Sequence, residues 1–222
     1  MFEEYKYKTE LHAHTSPVSL CSEIPPDKLV SVYAQNGYDA VVLTNHFYNT
    51  TLVDEYIEGY HKCRSLGEKA GINVILGAEI RFSECMNDYL IYGIEENELY
   101  DIRKLLDFGI DNFYKKFKNY KNIIYQAHPF RDGCSLASPD SMDGIEVFNL
   151  HPGHNSRIAY AAQYARKYNM KIIGGSDYHH PNMHCLCSIC TKEHISNSLH
   201  LAQILKDGDY IIDVSGYKIL PY

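Results

Sequence analysis

The sequence predicts an α/β chain built on a parallel sheet or a (β/α) barrel. Short apolar runs alternate with helical patterns over nearly all of the 222 residues. Several of those runs are continuous rather than alternating, the pattern of strands buried on both faces. No repeat, low-complexity tract or Gly/Pro/Ser-rich linker divides the chain, so one domain over residues 1–222 is expected.

The elements follow in order. YKTELHA at 7–13 reads as a strand, and PPDKLVSVYAQNG as a helix with prolines at its start and Gly37 past its end. DAVVLTN at 39–45 is a continuous apolar strand, residues 52–70 form a helix closed by Gly71, and INVILGAEI at 72–80 is the next buried strand. DYLIYG at 88–93 is strand-like, ENELYDIRKLL is helical, and FYKKFKNYK is a second amphipathic stretch leading into the strand NIIYQAH at 122–128. GIEVFN at 144–149 and MKIIGGSD at 170–177 are strands on either side of the helix NSRIAYAAQYARKYN. A helix over 196–207 and the strand DYIIDV at 209–214 complete the set.

In barrels the reactive groups gather at the C-terminal ends of the strands, and the notable His, Asp and Glu residues fall there. His12 and His14 end the first strand; residues i and i+2 share a face and so can share a metal, although HxH alone also fits two unrelated polar residues at a strand exit. His46 follows in LTNH, where a lone histidine is more often a capping or hydrogen-bonding residue. Glu79 sits among apolar residues in ILGAEIRF, and a carboxylate so placed is seldom buried unless paired or metal-bound. Asp88 precedes YLIYG, its plain reading an ordinary turn aspartate. His128 ends its strand in QAHPFR, with Arg131 three residues on, and Asp177 and His179 form a second i, i+2 pair. Together, six successive strand ends carry His/His, His, Glu, Asp, His and Asp/His. A polynuclear metal centre explains that order better than scattered surface histidines. Imidazoles mixed with carboxylates suit Mn, Fe or Zn more than Mg or Ca.

Composition narrows the class. Lys+Arg number 21 against 28 Asp+Glu, a net charge of −7, which argues against a nucleic-acid binder held by phosphate charge. An apolar fraction of 45% with 13% aromatics excludes a disordered chain. No window approaches the roughly 18 apolar residues of a membrane span, and MFEEYKYKTELHAHT lacks the apolar core of a signal peptide. Seven cysteines, an odd number without regular spacing, fit a cytoplasmic protein with reduced thiols.

ELHAHT, LTNH, GAEI, QAHP and GGSDYH, in this order, resemble the PHP (polymerase and histidinol phosphatase) superfamily of metal-dependent phosphoesterases, over roughly residues 8–214. The resemblance implies a distorted (β/α)7 TIM-like barrel carrying two to three divalent ions, Zn, Mn or Fe. It implies His12, His14, Glu79 and Asp177 as ligands of the first ion, with Glu79 bridging to a second held also by His128 and Asp88, where many members have histidine. His46 and His179 would serve a third. The family often has Asp or His five or six residues after HxH; here those positions are Ser19 and Leu20, with Cys21 next, so either Cys21 substitutes or the third site is weak or empty. Asn45 replaces the usual Asp of TDH, a change that would loosen His46 rather than remove a ligand.

The implied activity is hydrolysis of a phosphate ester, a phosphomonoester or a small nucleotide or phosphodiester, by a metal-activated hydroxide. Glu79, Asp88 and Asp177 contribute three negative charges, so two or three divalent ions leave the pocket net positive within an acidic protein. Arg131 is a candidate phosphate clamp, with a surface arginine as the plain alternative, and His46 or His179 are candidate acids for the leaving oxygen. The partner expected is a small phosphorylated substrate, without membrane and without nucleic acid beyond small nucleotides. The alternatives are a histidinol-phosphate or phosphotyrosine-type phosphatase, a catalytically weak metal-binding PHP domain, and an amidohydrolase-type barrel hydrolase. Against the last, residues 72–80 hold no lysine. Cys185, Cys187 and Cys190 lie in CLCSICT, which reads as a small-residue strand rather than a zinc site. Lys115, Lys116, Lys118 and Lys121 read as a solvated helix face, and His151 and His154 as a pocket rim or a loop.

Overall fold

The computed structural model describes residues 2–119 and 121–221. Its strands form two six-stranded sheets. The first contains β1 (Tyr7–Ala13), β2 (Ala40–Leu43), β4 (Asn73–Leu76), β10 (Cys187–Thr191), β11 (Ile211–Val214) and β12 (Tyr217–Ile219), in the order β12-β11-β10-β1-β2-β4. The second contains β3 (His46–Phe47), β5 (Ala78–Arg81), β6 (Asp88–Tyr92), β7 (Ile123–Gln126), β8 (Gly144–Asn149) and β9 (Lys171–Gly175), in the order β3-β5-β6-β7-β8-β9. Six helices connect them: α1 (Pro26–Gln35), α2 (Val53–Ala70), α3 (Glu98–Leu105), α4 (Gly109–Phe117), α5 (Ile158–Lys167) and α6 (Ser198–Asp207).

The expected distorted (β/α)7 TIM-like barrel is therefore corrected in one respect. The α/β class holds, but the ladders are two mixed sheets and do not close into one barrel. The β1–β2, β2–β4, β3–β5, β7–β8 and β8–β9 pairs are parallel, whereas β5–β6, β6–β7 and β1–β10 are antiparallel. The physical reason is plain at β5–β6: residues 82–87 are too few for the crossover of a dozen or more that a parallel pair needs.

The expected strand over 72–80 also divides. Gly77 is the break, because the backbone passes so close to β2 that an added Cβ would stand 2.8 Å from Val42 Cγ1 and 3.1 Å from Thr44 Cγ2. The chain leaves β4 in one sheet and enters β5 in the other. The sheets also meet through Ala13 at the end of β1 and Tyr178 beyond β9, where His14 N donates to the Tyr178 carbonyl and Tyr178 N to that of His12, at 3.1 and 3.3 Å.

Continuous apolar strands bury both faces with period two. Val41 and Leu43 face the outer core with Leu29, Tyr33 and Tyr56 of α1 and α2, while Ala40 and Val42 face the inner core with Leu11, Leu90, Tyr125 and Ile189. Both helices end as their sequences suggest: α1 begins at proline, and α2 stops at Gly71 in the left-handed conformation, φ 75°. Cys187 and Cys190 are buried on β10, as the strand reading expects. α4 ends at Phe117, so Lys118 and Lys121 lie beyond the helix; Lys118 pairs with Asp143 at 2.6 Å. Among the described residues no helix is long and apolar enough to cross a membrane.

Gly77→Ala is expected to lower stability by about 1–3 kcal/mol, the usual cost of overpacking, read as a shift of the urea midpoint at unchanged slope.

Candidate metal centre

Eight residues named from the sequence converge between the two sheets. His12 comes from β1 and His14 from just past its end, His46 from β3, Glu79 from β5, Asp88 from the start of β6, and His128, Asp177 and His179 from the segments after β7 and β9. Asp88 refines the expectation of six strand ends. It begins its strand, and the antiparallel direction of β6 brings that beginning to the end where the parallel strands finish.

Glu79 lies at the middle. Its Oε1 is 3.1 Å from His128 Nε2 and 3.3 Å from His12 Nε2, and its Oε2 is 2.8 Å from His46 Nδ1 and 3.3 Å from His14 Nε2. Asp177 Oδ1 stands 3.3 Å from His12 Nε2 and 3.4 Å from His14 Nε2. These separations are short, yet His12 Nε2, His14 Nε2, His46 Nδ1 and Glu79 Oε2 are buried without a hydrogen bond of acceptable geometry. Buried polar atoms in that condition need a partner, and a set of imidazole nitrogens and carboxylate oxygens suits a divalent cation. Three groups have ligand atoms within 4.8 Å of one another: His12/His14/Asp177, His14/His46/His179 and His46/Glu79/Asp88.

The far sides of the His12 and His14 rings are fixed with the help of Glu146 and Asn149, which sequence reasoning did not single out, and of Ser19 and Asn45, which it named without this role. Buried Glu146 accepts from His12 Nδ1 at 2.9 Å and from His128 N at 3.0 Å. Asn149 donates to Glu146 and Asp177, at 3.0 and 3.1 Å. Ser19 Oγ accepts from His14 Nδ1 and His46 N, at 3.1 and 3.0 Å, and donates to Asn45 Oδ1 at 2.9 Å. A donor role at Nδ1 leaves Nε2 of His12 and His14 with its lone pair toward the centre. Asn45 also accepts from Thr15 N and donates to Thr15 Oγ1, at 2.7 and 3.0 Å. It braces the 15–19 loop, and through Ser19 the His46 backbone, instead of loosening His46.

Two candidate ligands carry backbone strain. His128 and Asp177 have φ values of 30° and 50°, which residues with a Cβ seldom adopt. Gly175 is needed for space, since a Cβ there would stand 2.4 Å from His12 Cβ and 2.8 Å from Glu146 Oε1.

Charge couples the cluster. Burial alone would raise the Glu79 and Asp177 carboxyls, but His12 and neighbouring imidazoles outweigh it and hold both well below the usual range. Burial lowers His12, and the Asp177, Glu146 and Glu79 carboxylates overcome it and raise the ring well above its ordinary value. His14, by contrast, is pushed well down by burial and by the charges of His179 and His46. Burial raises the Cys21 thiol, yet hydrogen bonds from His179 and His46 bring it down to about 6.

Asp88 is differently engaged. Both its oxygens are taken by Arg81, which sits opposite it in the β5–β6 register and donates from Nε at 2.6 Å and Nη2 at 2.7 Å. His128 Nε2 is 3.8 Å away. Arg81 is the guanidinium that the fold brings to the cluster. Arg131, the expected clamp, lines a separate cleft with Phe130, Arg157 and Tyr160, and no described hydrogen bond or ion pair joins its side chain to the cluster. His151 lies at the rim, its ring 5.6 Å from His179 and 4.1 Å from His154. Cys185, Cys187 and Cys190 belong to none of the three candidate groups.

Fold and site together define an α/β domain equipped to hold metal. The family model for the PHP domain matches residues 10–214, and the chain belongs to the PHP family. A two-domain protein from Bacteroides vulgatus ATCC 8482, described as containing a predicted PHP-like metal-dependent phosphoesterase, superposes with a TM-score of 0.64 at 20% identity, covering 96% of this chain and 66% of that one. PsfC from Pseudomonas syringae PB-5123 gives 0.66 at 16% identity, over 87% of this chain and 84% of its own. At these identities the likeness is one of fold. DNA polymerase III PolC-type from Streptococcus pyogenes serotype M3 (strain MGAS315) is 32% identical over 84 residues, 38% of this chain and only 5% of the polymerase.

Arg81→Met leaves Asp88 a buried, unpaired carboxylate and is expected to cost about 3 kcal/mol, most of it recovered by adding Asp88→Asn; a urea double-mutant cycle reads the coupling. Glu10, two residues before His12 and fully buried, is raised to about 7 by burial, despite hydrogen bonds from Ser176 N, His12 N and Tyr33 OH. A carboxyl raised on folding favours the native state fully below its unfolded value of 4.5 and loses that contribution as pH rises toward 7. Glu10→Gln is therefore expected to remove about 1.4 kcal/mol of pH-dependent stability per unit across that window, measured as unfolding free energy against pH.

Proposed function

We propose that the chain is a metal-dependent phosphoesterase acting on a small phosphate ester through this centre. One observation carries the reading: His12 Nε2, His14 Nε2 and Glu79 Oε2 converge in a buried space without hydrogen-bond partners, while the far sides of both rings are held by Glu146 and Ser19. Bound there, divalent ions would acidify water and neutralise charge building on the phosphoryl oxygens. The chain's part is to aim the donor atoms. Glu146 and Ser19 take the Nδ1 protons of His12 and His14, and the Asp177 carbonyl takes that of His179 at 2.9 Å. In this reading His46 and His179 belong to the ligand set rather than to proton delivery.

Beside His46 opens a groove of about 860 Å³, walled by Val18, Leu20, Tyr48 and Leu52 and edged by Glu55, Glu58 and Lys62. Apolar walls with an edge of two carboxylates and one ammonium favour a leaving group of low charge over a polyanion. A phosphomonoester fits that description best, with a small phosphodiester next. Zn, Mn or Fe is the metal the mixed donor set favours.

The test is hydrolysis of p-nitrophenyl phosphate and its bis ester by protein loaded with each metal. Chelation should abolish turnover and re-addition restore it. His14→Ala and Asp177→Ala should each lower turnover by more than about 100-fold, beyond what loss of an outer hydrogen-bond partner costs, with circular dichroism unchanged. Ordinary turnover by either variant, or by the chelated protein, would overturn the proposal.

A further inference from the structure

His151 stands against the candidate ligands without belonging to them. The sequence makes its turn: in His151-Pro152-Gly153-His154 the proline and glycine take the two central positions, and His154 N donates to the His151 carbonyl at 3.3 Å. Asn149 anchors the turn to the centre, since its Oδ1 accepts from His151 N at 3.2 Å while its Nδ2 donates to Asp177 Oδ2 at 3.1 Å. Leu150 N adds a bond to the Gly175 carbonyl, also at 3.1 Å. So held, the half-buried ring meets His179 edge to face, centroids 5.6 Å apart at 75°, and His154 stacks on it at 4.1 Å and 21°.

One bond sets which nitrogen carries the proton. Gly153 N donates to His151 Nδ1 at 3.0 Å. A backbone amide can only donate, so Nδ1 must present its lone pair, and the proton of the neutral ring lies on Nε2. Glycine admits the ring this closely, because a Cβ at residue 153 would stand 3.0 Å from His151 Cε1. His12 and His14 are the reverse case, with Nδ1 toward Glu146 and Ser19 and the Nε2 lone pair toward the centre. A ring protonated on Nε2 cannot ligate a metal through that atom, and His151 belongs to none of the three groups of ligand atoms. Its Nε2–H is a hydrogen-bond donor instead, and the described hydrogen bonds of this side chain end at Nδ1.

We propose that His151 binds substrate: its Nε2–H donates to a non-bridging oxygen of the phosphoryl group held at the centre, and the ring itself takes no metal. The assignment rests on the phosphoesterase reading above and deepens it. A donor fixed in advance on both its backbone and its ring costs no reorganisation when the anion arrives. A neutral donor also suits a place beside bound cations, where an ammonium or guanidinium would be repelled. His179 neighbours both sides of such a substrate, its ring 5.8 Å from that of His46, which opens the groove assigned to the leaving group.

Two measurements test the assignment. Long-range proton–nitrogen spectra of the metal-free protein at neutral pH read the tautomer: the His151 ring, identified by its absence from His151→Gln, should carry its proton on Nε2. Titration of inorganic phosphate into zinc-loaded protein, with metal counted per chain, reads the donor. His151→Ala should bind phosphate at least about 10-fold more weakly, the loss expected of a hydrogen bond to a charged group, and keep the parent's metal count. His151→Gln, which returns an amide N–H, should recover most of that loss. A proton on Nδ1, a lost ion, or a phosphate affinity that His151→Ala leaves unchanged or His151→Gln fails to recover would overturn the assignment of His151 while the phosphoesterase reading stands. A metal-loaded parent that binds no phosphate would overturn both.

Discussion

The arrangement depends on one carboxylate, that of Glu79, which is wholly buried within 3.3 Å of four imidazoles. Taking a carboxylate out of water costs several kcal/mol unless its charge is answered. The answer comes from every side: His12 and His14 from β1, His46 from β3, His128 from beyond β7. Three of those four histidines also meet a second carboxylate, His12 and His14 at Asp177 and His128 at Asp88, so Glu79 shares with these the setting of where their strands end.

Around that charge lies a layer of neutralising and orienting contacts. Glu146 serves His12 and His128 together, Asn149 ties Glu146 to Asp177, and Asn45 directs the Ser19 hydroxyl toward which His14 donates. Removing a member of such a layer leaves the ligand atoms present but unaimed. The strained backbones of His128 and Asp177 have the same cause, since both residues must turn inward where their strands would otherwise carry them past.

Much of this was legible in the sequence, for identifiable reasons. The i, i+2 pairs His12/His14 and Asp177/His179 announce a shared face, and Glu79 stands out as a carboxylate within an apolar run. Glu146 in GIEVFN and Glu10 in YKTELHA carry that same signal. Pattern alone does not separate a carboxylate that faces the cluster from one that holds a histidine. Arg81 was hidden for a different reason: its pairing with Asp88 exists only because β5 and β6 run antiparallel, and a strand–helix alternation reads as parallel. The division of 72–80 at Gly77 was likewise invisible, because it depends on how close β2 passes rather than on any local propensity.

That division places the two halves of the centre on different bodies. His12 belongs to the sheet that holds β4, with His14 just past the end of its strand, while Glu79 rides on β5 in the other. The inner core already joins the two sheets, and an ion held by His12 of β1 on one side and Glu79 of β5 on the other would add a rivet between them. Occupancy and tertiary cohesion would then be one equilibrium, each increment of metal affinity being an increment of resistance to the parting of the sheets.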